Sequence, residues 1–265
     1  WSLNVAREWS AERVQWGRPI GQHGAIAQKI AFMAATTFAL ESVLELTAEM
    51  ADQGQLDIRL EAAIAKLYAS EMSWQIADDL VQIRGGRGYE TAESLAARGE
   101  RAIPVEQLLR DLRINRIFEG SSEIMRLFIA REAVDAHLQA AGDLADPRAD
   151  LSRKAKSAAK ASGFYARWLP HLVAGKGQVP GTFQEFGRLA PHLRYVERAS
   201  RKLARNTFYG MARWQGKLEF RQGFLGRVVD IGCELFAMSA ACVRARMLAQ
   251  DDPERGREAY RLADA

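Results

Sequence analysis

A chain of 265 residues can bury one large apolar core or two smaller ones. Hydrophobic residues at 48% and charged residues at 26% are the proportions of an ordinary soluble globular protein. No run of eighteen apolar residues is present, which excludes a membrane span by that criterion, and the formal charge of +4 is modest.

The chain opens with Trp1-Ser2-Leu3-Asn4, without an initiating Met or a signal peptide pattern, and so reads as a fragment or a clipped chain. Residues 2–16 read as the end of a helix, and Gly17-Arg18-Pro19-Ile20-Gly21 as a turn. From about Ala25 to Met50 the apolar positions Ile26, Ile30, Met33, Phe38, Val43 and Leu44 give a long helix that Gly54 stops. From about Ile58 to Ile83, Leu60, Ile64, Leu67, Met72, Ile76 and Leu80 give a second, ended by Gly85-Gly86. Two long helices on a short link make an antiparallel hairpin, which the helices around Glu119 complete as a bundle. Glu90 to Ile103 reads as a surface loop, with a lid or a subunit contact as the alternatives.

Gly142-Asp143-Leu144-Ala145-Asp146-Pro147 reads as a linker to a second region, with helices at 150–174, 182–208 and 221–250, a short one after Pro253, and a loop at Gly175 to Gly181. No convincing strand alternation occurs. The expected fold is all-α: an antiparallel helical bundle over 1–141 and a second helical domain over 148–265. Cys233 and Cys242 are nine residues apart, about half a turn out of phase, and read as buried free thiols of a reducing compartment. His23, His137, His171 and His192 lack ligand spacing, so no metal site is expected.

Between Leu108 and Ala130 the apolar stripe breaks once, at Glu119-Gly120, and then resumes. Ser121 and Ser122 can meet the free amides of the next helix, and Glu123 in its first turn suits the dipole. Glu119 then sits near unpaired N–H groups, hemmed by Ile117 and Phe118, a position suited to a general base. An acidic residue before a glycine is usually an ordinary solvated loop end.

The segment Ile117-Phe118-Glu119-Gly120-Ser121-Ser122-Glu123-Ile124-Met125-Arg126 resembles the Ile-(Tyr/Phe)-Glu-Gly-Thr-x-(Glu/Gln)-Ile-x-Arg signature of flavin-dependent acyl-CoA dehydrogenases. Gln82-Ile83-Arg84-Gly85-Gly86-Arg87-Gly88-Tyr89, Arg110-Asp111 and Arg13-Val14-Gln15-Trp16-Gly17-Arg18-Pro19-Ile20 are similar to three further motifs of that family, in its order and at similar spacings. Trp16 stands for the usual Phe and Ser121 for the usual Thr. In the second region, Arg227-Val228-Val229-Asp230-Ile231-Gly232-Cys233-Glu234-Leu235-Phe236-Ala237-Met238 resembles part of the extension carried by very-long-chain members. Phe118 and His23-Gly24 lean the same way, although core packing alone also produces such an apolar run.

The resemblance implies α,β-dehydrogenation of a long-chain fatty acyl-CoA in β-oxidation, with Glu119 removing the α proton and FAD accepting the β hydride. It makes Gly120 the residue that leaves room for substrate. It assigns FAD contacts to Arg13, Gln15, Trp16, Gln82, Gly85 and Gly86, presented to a neighbouring subunit, and to Ser121 and Glu123. Gly85-Gly86 is also an ordinary helix cap, and Arg13 an ordinary surface charge. The implied partners are an electron-transferring flavoprotein, a second copy in a homodimer, and the N-terminal and β-barrel domains, without which this piece should not turn over. The implied location is a bacterial cytoplasm or the mitochondrial matrix face. An oxygen-using oxidase, and a catalytically silent assembly or membrane scaffold, are the other function classes.

From Leu151 to Phe220 basic residues far outnumber acidic ones. Such a face attracts anionic membrane, nucleic acid or an acidic protein, and is also what solvated helix faces provide. No nucleic-acid motif accompanies it, so that partner is set aside.

Overall fold

The computed structural model describes residues 1–54, 57–145 and 148–265. Helix α1 (Ser2–Glu12) leads into a small hairpin whose strands, β1 (Val14–Gln15) and β2 (Arg18–Pro19), pair antiparallel with Val14 opposite Pro19 and Gln15 opposite Arg18. The expected helix thus stops short of residue 16. Trp16 and Gly17 both have positive φ, 50° and 79°, the left-handed pair that a two-residue hairpin turn requires. This hairpin is a departure from a purely helical reading; the other elements among the described residues are helices.

The long pair is α2 (Gly24–Asp52) and α3 (Arg59–Arg84), close to the limits that apolar spacing predicts. Helix α2 is long and apolar enough to cross a membrane by length and composition. In the fold it packs on α3, on α10 and on α11, and it buries Met33, Phe38 and Val43. Next come α4 (Gly86–Tyr89), α5 (Ala92–Ala97), α6 (Val105–Ile114) and α7 (Ser122–Ala145). The stretch expected as a loop contains α5. Thr91 Oγ1 caps it by accepting from Ser94 N at 3.2 Å, Leu95 is fully buried, and Glu100 pairs with Arg87 and Arg98. Helix α7 continues through Gly142 and Leu144, where a linker is expected, while Asp146 and Pro147 lie outside the described residues.

The second region contains α8 (Leu151–His171), α9 (Ala190–Trp214), α10 (Gln222–Asp251) and α11 (Pro253–Asp264). Asp150 caps α8 and Asp252 caps α11 through their side chains. Helix α9 starts later than expected because Phe183 and Gly187 take positive φ and break the chain into a 3-10 segment, Gln184–Leu189. Much of its basic sequence also turns inward. Arg194 donates to Thr182 O at 3.0 Å, Arg198 to Gly177 O at 2.6 Å, and Arg201 pairs with Glu197 at 2.6 Å, pinning the glycine-rich loop.

One apolar cluster joins both regions: Val43, Ile64 and Leu67 of the long hairpin and Ile129 of α7 pack with Leu225, Val229, Cys233 and Ala237 of α10. A second gathers α1, α2, α3 and Val105, and a third holds Leu189, Cys242, Ala245 and Ala259 around Phe38. Cys233 and Cys242 are both buried and free, each on a different covered side of α10.

Candidate functional site

The chain between α6 and α7 is wider than a single Glu-Gly step. Helix α6 frays at Ile114, whose carbonyl accepts from Ile117 N at 2.8 Å and Phe118 N at 3.2 Å. The backbone then reverses through Glu119 (φ 54°) and Gly120 (φ 90°), and Ser122 N closes the turn on Arg116 O at 3.1 Å. A left-handed glutamate costs on the order of 1–3 kcal/mol and persists only where its surroundings impose it.

Those surroundings are specific. Lys66, from α3, donates to Asn115 O at 3.0 Å and also to Gly120 O, holding both ends of the turn. Glu71, five residues further along α3, pairs with Arg116 at 2.7 Å and Arg126 at 3.7 Å. The Arg116 guanidinium lies 4.8 Å from the centre of the Trp74 ring, and Arg126 continues to Asp230 of α10 at 2.7 Å. The Glu119 side chain is exposed, and its N–H has no acceptor among the described residues. Ile117 (58% exposed), Phe118 (50%) and Ile124 (59%) surround it with open apolar surface. Ser121 Oγ accepts weakly from Ile124 N at 3.5 Å. Glu123's own amide, the Ser121 hydroxyl and Arg126 hold the Glu123 carboxyl below the usual carboxylate range.

The remaining candidates gather at the far end of α3. Gly85 takes φ 59°, ψ −136°, reversing the chain from α3 into α4. Gly88 is required by contact, since a β-carbon there would sit 2.6 Å from Val81 O. Gln82, Gly85 and Gly86 are exposed, with open space where β-carbons of the two glycines would stand. Trp9 brings α1 to this end. Its Nε1–H donates to Ile83 O at 3.2 Å, and the buried Arg84 guanidinium lies 4.9 Å from the indole ring centre. Arg13 follows one turn later, its N–H on Trp9 O at 2.9 Å, and its guanidinium has no partner among the described residues. In the adjoining hairpin Gln15 O is 3.1 Å from His23 Nε2, and the 90% exposed Trp16 ring meets the His23 ring edge-on at 5.5 Å.

The structure therefore forms two groups, one around Glu119 with Ser121 and Glu123, the other around Arg13 and Gln82. Lys66 and Gln82 mark them on α3, separated by roughly 24 Å at 1.5 Å per residue. Sequence reasoning missed Lys66, Glu71, Trp9 and Trp74, and gave Asp230 only as part of the α10 resemblance, without its pairing to Arg126. The first four carry no local pattern, because each acts by reaching an element distant in sequence.

Residues 1–134 match the family described as acyl-CoA dehydrogenase, C-terminal domain, and the chain belongs to the acyl-CoA dehydrogenase family. It is 71% identical over 264 residues to the probable acyl-CoA dehydrogenase FadE10 of Mycobacterium tuberculosis, covering all of this chain and 41% of that protein. It thus spans about two fifths of that relative's length. It is 38% identical over 125 residues to the mitochondrial very long-chain specific acyl-CoA dehydrogenase of Homo sapiens, covering 47% of this chain and 18% of that one. The fold is shared with a crystal structure of a Bacillus anthracis acyl-CoA dehydrogenase complexed with FAD. The TM-score is 0.68 and the identity 21%, over 99% of this chain and 42% of the other.

Proposed function

We propose that this chain is the C-terminal part of an enzyme that dehydrogenates long-chain fatty acyl-CoA thioesters at the α,β bond in fatty acid β-oxidation, with Glu119 as the base. The observation that carries the reading is the imposed left-handed Glu119-Gly120 turn, which presents a free carboxylate and a free backbone N–H side by side within apolar surface.

The difficulty of the reaction is the weak acidity of the α C–H. The Glu119 carboxylate takes that proton, and the Glu119 N–H donates to the thioester oxygen as negative charge gathers there; one such oriented donor is typically worth about 3 kcal/mol. Gly120 has no side chain beside the reacting carbons and so leaves room for the acyl group. Ile117, Phe118 and Ile124 exclude water from the same region once the remaining domains cover them.

The residues at the end of α3 fit a dinucleotide diphosphate. The unpartnered Arg13 supplies charge, Gln15 and Gln82 supply amides, Trp16 supplies a ring face, and the bare backbone at Gly85 and Gly86 permits close approach. Ser121 and Glu123 would touch the same cofactor from the catalytic turn. FAD, when bound, supplies the two-electron acceptor for the hydride that leaves the β carbon.

The roughly 24 Å between the two groups along α3 supports sharing across a homodimer, with the Arg13 group serving the neighbouring subunit's flavin. Electrons then pass to an electron-transferring flavoprotein. The bundle over 1–141 carries the site, and the region over 148–265 is a second domain that shares its core. The Mycobacterium relatives favour a bacterial cytoplasm. The exposed Leu151 with Lys156 of α8, and the exposed Val173 with Lys176 beyond its end, favour a peripheral contact with anionic membrane. Likeness to the very long-chain relatives supports long acyl chains.

The test is an anaerobic titration of the intact parent enzyme with palmitoyl-CoA, following the visible flavin band. Bleaching at about one equivalent per flavin is expected, and a flavin-loaded enzyme that no acyl-CoA bleaches would refute the reading.

A further inference from the structure

Arg84 closes α3, between Ile83, whose carbonyl accepts from Trp9 Nε1, and the left-handed Gly85, and it is only 6% exposed. Its guanidinium lies over the Trp9 ring but has no hydrogen bond and no carboxylate partner among the described residues. Of its three nitrogens Nε alone is enclosed without a partner, which leaves the Nη edge to meet what lies outside. A buried cation without an anion is costly, and folded chains ordinarily pair such groups.

The arginines around it are paired. Arg87 and Arg98 share Glu100 at 2.9 and 3.3 Å, Arg98 also holds Glu90 at 2.9 Å, and Arg101 holds Glu8 at 2.8 Å. Glu100 is the carboxylate whose charge reaches Arg84, and two other arginines already occupy it. Burial lowers the pKa of Arg84, Glu100 partly offsets this, and Arg101 and Arg87 add to it. A guanidinium does not lose its proton in a protein, so the charge stays and lacks an anion.

The neighbours define which anion fits. Gly85 and Gly86 are exposed, and β-carbons there would meet nothing within 4 Å, so their backbone is open to close approach. Arg13, whose N–H is held by Trp9 O at 2.9 Å, is a second guanidinium without a partner. Trp9 thus holds one unpaired arginine through its backbone and another through its ring. Two planar forks beside bare backbone suit an anion with several acceptor oxygens and more than one charge, as a diphosphate has and a single carboxylate does not.

We propose that Arg84 is a phosphate-binding residue, its Nη edge meeting the diphosphate of the neighbouring subunit's flavin dinucleotide together with Arg13 and the backbone at Gly85 and Gly86. This rests on the reading of the Arg13 group as the flavin site and adds a residue to which the family resemblance gives no role. The consequence is a difference in sign. In the flavin-free protein Arg84 is an uncompensated charge that weakens the fold, and in the loaded protein the ligand supplies its anion. An arginine present only to support Trp9 would strengthen both states.

The test uses the intact parent protein with Arg84→Met, which keeps the stem against Trp9 and removes the charge, and Arg84→Lys, which keeps the charge. Stripped of flavin, Arg84→Met should melt at or above the native temperature, yet bind FAD at least tenfold more weakly, and Arg84→Lys should recover part of that loss. ADP, which carries the diphosphate without the flavin ring, should raise the melting temperature of the native apoprotein and not that of Arg84→Met. An Arg84→Met apoprotein that melts below native, or that binds FAD with native affinity, would overturn the assignment and leave Arg84 as a support for Trp9. If the parent takes up no FAD, the flavin reading fails by itself and the ADP arm decides Arg84. A shift lost in Arg84→Met then upholds the phosphate site, and an absent or equal shift overturns it.

Discussion

Arg126 Nε lies 2.7 Å from the Asp230 carboxylate, across 104 positions of sequence, while Nη1 of the same arginine faces Glu71 at 3.7 Å. Helix α10 of the second region is thereby tied to the first turns of α7, next to the turn that carries Glu119. Asp230 is half exposed, so Asp230→Asn should cost only about 0.5–1 kcal/mol in urea unfolding. Glu71 is more buried and serves two arginines, so Glu71→Gln should cost about 1–3 kcal/mol and lower kcat more than it changes KM. Equal effects of the two substitutions would show that Glu71 does not hold both feet of the turn.

Lys66 is expected to position the turn rather than to react. Lys66→Met removes the donor to the Asn115 and Gly120 carbonyls and should lower kcat by about 100-fold, the scale of a 1 Å misplacement, with flavin content unchanged. Rapid-mixing measurement of flavin reduction checks this, and a native reduction rate would show that Lys66 does not position the turn.

At the other end of α3, two glycine substitutions should separate. Gly88→Ala places a β-carbon 2.6 Å from Val81 O and should destabilise the protein by about 1–3 kcal/mol. Arg13→Ala touches nothing in this chain and should leave the melting temperature of the apoprotein unchanged while FAD is lost more readily on dilution. Retention of FAD equal to native would count against Arg13 as a cofactor contact.

Much of this fold was legible because α2 and α3 repeat their apolar residues at helical spacing and end at Gly54 and Gly85. The Glu119 turn and the Arg13 and Gln82 segments were legible by resemblance, since local motifs survive in sequence. What could not be read were contacts between distant positions. Lys66 looks like any surface lysine of an amphipathic helix until the Gly120 carbonyl is placed beside it. Arg194 and Arg198 looked like surface charge, yet they hold the carbonyls of Thr182 and Gly177. Helix α5 was missed because its short Ala-Glu-Ser-Leu run becomes stable only when Leu95 is buried under its neighbours.

Burial pushes the Cys233 thiol up to about 12 and that of Cys242 to about 11. At pH 8 at most on the order of a thousandth of either is thiolate, so neither should be alkylated by iodoacetamide in the native protein, and both should be in urea. Peptide mapping reads the outcome, and rapid native labelling of either would contradict its burial.

Burial also lowers the pKa of His137, so the unfolded chain binds the extra proton as pH falls through its value near 6.5. This residue's contribution is therefore fully present above that pH and is lost below it. His137→Leu should flatten the decline of melting temperature on the acid side, and an unchanged profile would show that His137 does not titrate on unfolding.

Glu119 is proposed as the base. The most direct measurement repeats the anaerobic palmitoyl-CoA titration with Glu119→Gln, which keeps the shape of the turn and removes the proton acceptor. The variant should retain FAD and still perturb the flavin band on binding palmitoyl-CoA, but should not bleach. Bleaching at the native rate in that variant would contradict it.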